Sequence, residues 1–190
     1  MPGWSSVKFT EARQVAQLLR VREEDLPGAE IAPAEHYASM RSSEQRADAV
    51  RFLALALPRY ESVAWAARLV EAEAERRRLN ARDRQALEFA LRWVGDPNDA
   101  RRRAAFEAAE AADERSPERL LALAVFFSGG SISMPELPPV LPPPDSCGSF
   151  TGAAVLAAAF RTDAADQVLD RALDMGEAVA DKGLDALNHS

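Results

Sequence analysis

The sequence predicts an all-α fold: a compact bundle of six to eight helices, mostly antiparallel hairpins, with a proline-rich arm between the sixth helix and the C-terminal helices. Three observations predict it. Apolar residues recur at i, i+3, i+4 and i+7 in one segment after another, and no run alternates with a period of two. The apolar share is 47 %, much of it alanine, which favours helix and supplies little area per residue, so the helices must pack closely. The stretch from Ser128 to Pro144 holds six of the twelve prolines. Proline fixes its own φ, lacks an amide donor and drives the preceding residue toward extended geometry, so this stretch is not helical. A chain of 190 residues reads as one domain, 1–190, with the arm as residues 129–150 within it.

Taken in order, Thr10 is placed to cap a first helix with Ala12, Val15, Ala16 and Leu19 on one face, ending near Arg22. Pro27, Gly28 and Pro33 then punctuate a connector through Met40, read as a loop with one turn of helix at most. Ser42 with Gln45 has capping-box spacing, and Val50, Leu53, Ala54 and Leu57 give the second helix its buried face. Pro58 opens a long third helix with Trp65 and Leu69 one turn apart and Trp65 in the core. In its C-terminal half Glu71, Glu73 and Glu75 precede Arg76, Arg77 and Arg78, the pattern of a solvated, ion-paired face. Asn80 caps a fourth helix that buries Leu87, Ala90, Leu91 and Val94 and stops at Gly95. Asp96-Pro97 and Ser116-Pro117 read as two copies of one device, a capping side chain followed by proline at the first helical position. They start a fifth helix, with Ala104, Ala105, Phe106, Ala108 and Ala112 inward, and a sixth, burying Leu120, Leu123, Ala124 and Phe127. Gly129-Gly130 ends the sixth by supplying positive φ, with Ser128 and Ser131 bonding nearby backbone groups. After the arm, Ser149 or Thr151 caps GAAVLAAAF, which is apolar on most of its circumference and therefore central. Ala165, Val168, Leu169 and Ala172 begin the final amphipathic helix.

Composition narrows the function classes. The single cysteine, Cys147, rules out an intramolecular disulfide and fits a reducing compartment. MPGWSSVKFTEAR has no apolar core of a secretory signal, and Gly152 to Phe160 is too short to span a bilayer. Cytoplasmic location and no membrane partner are the expectation. His36 and His189 are the only histidines and stand far apart, so no metal site is expected. No phosphate loop follows a strand, and neither G-x-S-x-G nor H-E-x-x-H occurs. No catalytic residue and no cofactor are assigned. Cys147, between serines and a glycine with no cation beside it in sequence, reads as an ordinary thiol.

Two features remain for recognition. From Arg76 to Arg103 nine arginines face Asp83, Glu88, Asp96 and Asp99, a local balance of +5 in a chain of −7. This segment could meet an acidic partner. A nucleic-acid role would need one continuous basic face, and its Phe89 and Trp93 read as core rather than as stacking platforms. The arm admits three readings: a tether, a segment packed across the helices, or a ligand for a groove that reads polyproline II. Leu137, Val140 and Leu141, interleaved with the prolines, favour packing between the helices, with the edge formed by Pro142, Pro143 and Pro144 left for a partner. The expected partner-binding residues are therefore Pro142, Pro143, Pro144, Arg101, Arg102 and Arg103.

A set of motifs also resembles one bacterial family of unknown function. They are Trp65 in VAWAARLV, Trp93 with Asp96-Pro97, the alanine-rich helix that follows, SPERLLALAVFFSGGSISMPELPPVLPPP, and the GAAVLAAA helix, lying chiefly between Phe52 and Phe160. Members of that family are encoded near type VI secretion genes. The resemblance implies a non-enzymatic cytoplasmic accessory protein, an adaptor or co-chaperone that binds a secretion effector, a spike component or a second adaptor. It carries no catalytic residue. The alternatives are a small enzyme with an unrecognised site and, behind it, a nucleic-acid-binding regulator.

Overall fold

The computed structural model describes residues 4–189, with side chains through Leu187. Among them are nine α-helices and no strand: α1 (Ala12–Leu18), α2 (Pro33–Ser42), α3 (Arg46–Ala56), α4 (Arg59–Glu75), α5 (Ala81–Gly95), α6 (Asp99–Ala111), α7 (Pro117–Phe126), α8 (Ser146–Phe160) and α9 (Ala165–Lys182). The helix beyond the expected eight is α2, read from sequence as a loop. Pro33 stands at its first turn, where the missing amide costs nothing. Tyr37 anchors it, fully buried, with its hydroxyl donating to the Leu173 carbonyl at 3.2 Å.

Several helix starts differ from the sequence reading, because more than one residue near each boundary is able to cap. Gln14 Oε1, rather than Thr10, closes the start of α1, accepting from the amides of Thr10 and Glu11. Ser42 belongs to the end of α2, where its hydroxyl donates to the Ser39 carbonyl. Asn98, not Asp96, caps α6, its side chain accepting from the Arg101 amide at 3.0 Å. Asn80 and Ser116 cap α5 and α7 as expected, through the amides of Asp83 and Arg119. Helix α8 begins at Ser146, inside the span assigned to the arm, so Thr151 is a fully buried core residue rather than a cap.

Helices α4 and α8 are central: α8 packs on α3, α4, α7 and α9, and α4 packs on α5, α7, α8 and α9. Small residues let α8 lie close to α3. A Cβ on Gly148 would sit 2.6 Å from Leu55 Cδ2 and 2.9 Å from the Ala54 carbonyl oxygen, so only glycine permits this approach. Trp65 is fully buried and its Nε1 donates to the Ala172 carbonyl at 2.7 Å, satisfying the one polar atom of a large apolar side chain.

From α4 onward the helices run alternately between two ends. At one end the Tyr60 hydroxyl donates to the Val94 carbonyl, Arg59 to the Ser128 carbonyl and Arg101 to the Arg92 carbonyl. This end carries the arm. At the other, the Asp113 amide donates to Asp83, Arg77 donates to the Arg161 carbonyl, and Arg161 pairs with Glu118. The arginine-rich segment is thereby split. Arg101 to Arg103 lie at the arm end, while Arg76, Arg77, Arg78, Arg82 and Arg84 lie around the opposite turn.

Candidate functional site: the proline-rich arm and its arginine clamp

The arm is neither a free tether nor a strap between helices. It folds back on itself. The Ile132 amide donates to the Val140 carbonyl at 2.8 Å, and the Leu137 amide to the Met134 carbonyl at 3.0 Å. The second bond closes a four-residue turn with Pro135 at its second position, where a fixed φ suits the turn. Ser131 ties the base: its Oγ accepts from the amides of Ser133 at 3.2 Å and Val140 at 3.1 Å. Ser133 Oγ spends its hydrogen on the Pro138 carbonyl at 2.8 Å, so the 2.7 Å contact between the two hydroxyls is donated by Ser131. Each hydroxyl carries a single hydrogen, which fixes that direction.

Arg102 and Arg103 clamp this loop from α6. Arg102 is only 4 % exposed. Its Nη1 donates to the Phe126 carbonyl at 2.7 Å, its Nη2 to Ser131 O at 2.8 Å, and Nη2 and Nε both reach Asp99 Oδ1. The guanidinium also lies over the Phe126 ring, 4.9 Å from its centroid, a cation–π contact away from water. Arg103 donates to the carbonyls of Ser133 and Ser131 at 3.0 and 3.2 Å and to Asp99 Oδ2 at 2.9 Å. Hydrogen bonds from Arg102 and then Arg103 hold the Asp99 carboxyl below its ordinary range. Gly130 lets the chain turn above the clamp. Its φ is +68°, which favours glycine, and a Cβ there would lie 3.1 Å from Arg102 Nη2 and press on the clamp. Beneath the base stack Phe106 on Phe126 and Phe127 on Phe150, with centroids 4.2 and 5.1 Å apart.

These contacts revise the expected recognition residues. Arg102 and Arg103 spend their donors inside the molecule, and Arg101 donates to the carbonyls of Arg92 and Asp96 and pairs with the Asp96 carboxylate at 2.9 Å. Their donors are engaged within the molecule, and those of Arg102 and Arg103 hold the arm in place. Pro142 is buried, while Pro143 and Pro144 are exposed. The expected insertion of Leu137, Val140 and Leu141 between the helices is overturned: they are 56 %, 52 % and 75 % exposed, and Met134 is 68 % exposed. The turn at Pro135 and the serine bonds hold this part of the loop away from the helices, so the near-threefold apolar spacing has no helix surface to bury against. Sequence reasoning missed Asp99 and Met134, and gave Ser133 no role. Their partners lie about 30 residues away, as Arg103 does from Ser133, and no local period reports such a contact.

Elsewhere the reactive groups are occupied. The Cys147 thiol is buried and pushed up to about 12 by desolvation, far from the thiolate that nucleophilic chemistry needs. His36 lies edge-on to Phe52, ring centroids 5.2 Å apart, and burial lowers its pKa. The His189 side chain lies outside the described residues. Among the described residues no three potential ligands gather to hold a metal, and no helix is long and apolar enough to cross a membrane. No curated protein and no solved structure matches the chain. Residues 36–180, from α2 almost to the end of α9 and including the whole arm, match the model of a family of unknown function (DUF6931), and the chain belongs to that family.

Proposed function

We propose that this protein is a non-enzymatic accessory protein that binds another protein, and that the arm is the surface it presents. One observation carries the reading: Met134, Leu137, Val140 and Leu141 are held out to solvent on a loop fixed by the Ser131 and Arg102–Arg103 bonds. A contiguous exposed apolar patch marks an interaction site. Fixing it beforehand removes part of the ordering cost of association. The exposed prolines and leucines call for a partner with an apolar, aromatic-lined groove. By its resemblance to a family encoded near type VI secretion genes, we assign the partner to secretion effectors or spike components and the protein to adaptors or co-chaperones of their loading. Occupation of Cys147 and His36 in packing supports a non-enzymatic role. Separation of the basic segment into two ends disfavours nucleic acid as the partner, since no single face carries all nine arginines.

The test is capture from the native host, followed by reconstitution of the complex from the two purified proteins. The variant Leu137→Ser/Val140→Ser/Leu141→Ser keeps the wild-type melting temperature and binds at least about tenfold more weakly, a loss of about 1.4 kcal/mol. Unchanged affinity in this folded variant refutes the arm as the docking surface.

A further inference from the structure

At the opposite end of the bundle, four arginines line one cavity of about 320 Å³ between the end of α4 and the start of α9: Arg76, Arg77, Arg161 and Arg171. Two carboxylates line it with them, Glu73 and Asp163. Glu73 is 1 % exposed, which corrects its reading as part of a solvated face: Trp65, Leu69 and Glu73 continue one inward row at fourfold spacing. A single oxygen of Glu73 serves two arginines, Arg171 Nη2 at 2.6 Å and Arg76 Nη1 at 3.9 Å. Arg161 is directed to Glu118: Nη1 donates to Oε2 at 2.9 Å and Nη2 makes a 2.7 Å ion-pair contact with Oε1, while neither Nε nor Nη2 has a hydrogen-bond acceptor. Arg77 donates once, to the Arg161 carbonyl at 3.2 Å.

An arginine carries five N–H donors, so Arg76, Arg77 and Arg171, which line the cavity together, keep most of theirs. The amino end of α9, with Asp166 in its first turn, borders the same cavity. Ala164 lines it and occupies the capping position of this 18-residue helix without a side-chain cap. Backbone amides at a helix start and clustered guanidiniums are the two donor types that hold tetrahedral oxyanions.

We propose that this cavity is a phosphate-binding site for a small phosphorylated molecule. Arg76, Arg77 and Arg171 donate to the phosphate oxygens, and Glu73 positions Arg171. The volume, at the small end for ligand sites, suits a diphosphate group with little beyond it. The site stands apart from the arm and does not depend on the protein-binding reading.

Calorimetric titration with inorganic diphosphate at fixed ionic strength tests it, using the wild type, Arg76→Gln/Arg77→Gln and Arg78→Gln. All three substituted side chains are exposed, so the fold is kept, and a melting curve checks this. Arg78 adjoins the others in sequence but does not line the cavity. The expected result is one site per chain, weakened at least about tenfold in the double variant and unchanged in Arg78→Gln. Parallel titrations with ADP and AMP identify the source: tighter binding of ADP than of diphosphate assigns a nucleotide, and equal binding assigns the bare anion. No saturable binding up to about 5 mM diphosphate, equal weakening by Arg78→Gln, or binding of hexaglutamate without diphosphate overturns the proposal.

Discussion

The two ends of the bundle bury arginine chemistry in opposite ways. At the arm end the cation is inside and its carboxylate outside: Arg102 is 4 % exposed and Asp99 has 63 % of its side chain in water. At the other end the carboxylate is inside, with Glu118 fully buried and Arg161 reaching down to it. Arg102 serves mainly the carbonyls of Phe126 and Ser131, so its task is to order a loop. Arg161 serves a buried charge. Glu118 lies in the first turn of α7, where the helix dipole helps hold the negative charge but does not replace a counter-ion. The same residue type therefore fixes a surface at one end and neutralises the core at the other.

The largest expected effect sharpens this contrast. Arg161→Ala leaves the Glu118 carboxyl buried without its partner and costs about 3–5 kcal/mol, read as a fall in chemical and thermal denaturation midpoints. Adding Glu118→Gln to that variant restores part of the loss, because a neutral amide is cheaper to bury without a partner than a carboxyl group. Arg102→Ala costs less, about 2–3 kcal/mol, from hydrogen bonds lost by a charged donor, since Asp99 remains solvated when its partner is removed. If Arg102→Ala proves the costlier change, the contrast between the two ends fails.

The pH dependence follows from the same geometry. The Asp99 carboxyl is held below its unfolded value by Arg102 first and Arg103 second. Its stabilising contribution is therefore complete above the unfolded pKa, about 4, and is lost as pH falls through the lower folded value. Acid well below about pH 4, where Asp99 is protonated, should loosen the clamp in the wild type, with a smaller change in Arg102→Ala, where Arg103 alone holds Asp99, as followed by proteolysis within residues 131–141. Ser131→Ala is smaller, about 1 kcal/mol, because the amides of Ser133 and Val140 lose one acceptor but remain near water.

The helical framework was legible because it is local. Stripes such as Val50, Leu53, Ala54 and Leu57, and the position of Trp65 beside Leu69, follow from period alone, and all these residues are buried. Helix α2 was less legible, because its inward face is made of Pro33, Tyr37 and the half-buried Ala34, His36 and Met40, with no aliphatic stripe. Pro33 with Glu35 in the first turn was the available sign. The boundary at Asp96–Asn98 was ambiguous because both side chains are capable caps. The arm was least legible. A run of prolines and leucines states that helix is impossible, but whether the leucines turn in or out depends on arginines on α6 reaching serines about 30 residues later. Glu73 was misread for a related reason: its partner, Arg171, lies 98 positions away.

The central claim is that the arm is a clamped loop presenting apolar side chains, and amide hydrogen exchange at Ile132 and Val140 tests it most directly. Both amides donate within the arm, to the Val140 carbonyl and to Ser131 Oγ. In the wild type both should exchange at least about tenfold more slowly than in an unstructured peptide of the same sequence. In Arg102→Ala/Arg103→Ala that protection should be lost, while the amides of α8 near Val155 stay protected. Exchange of Ile132 and Val140 at the unstructured rate in the wild type would contradict the account and make the arm a free tether.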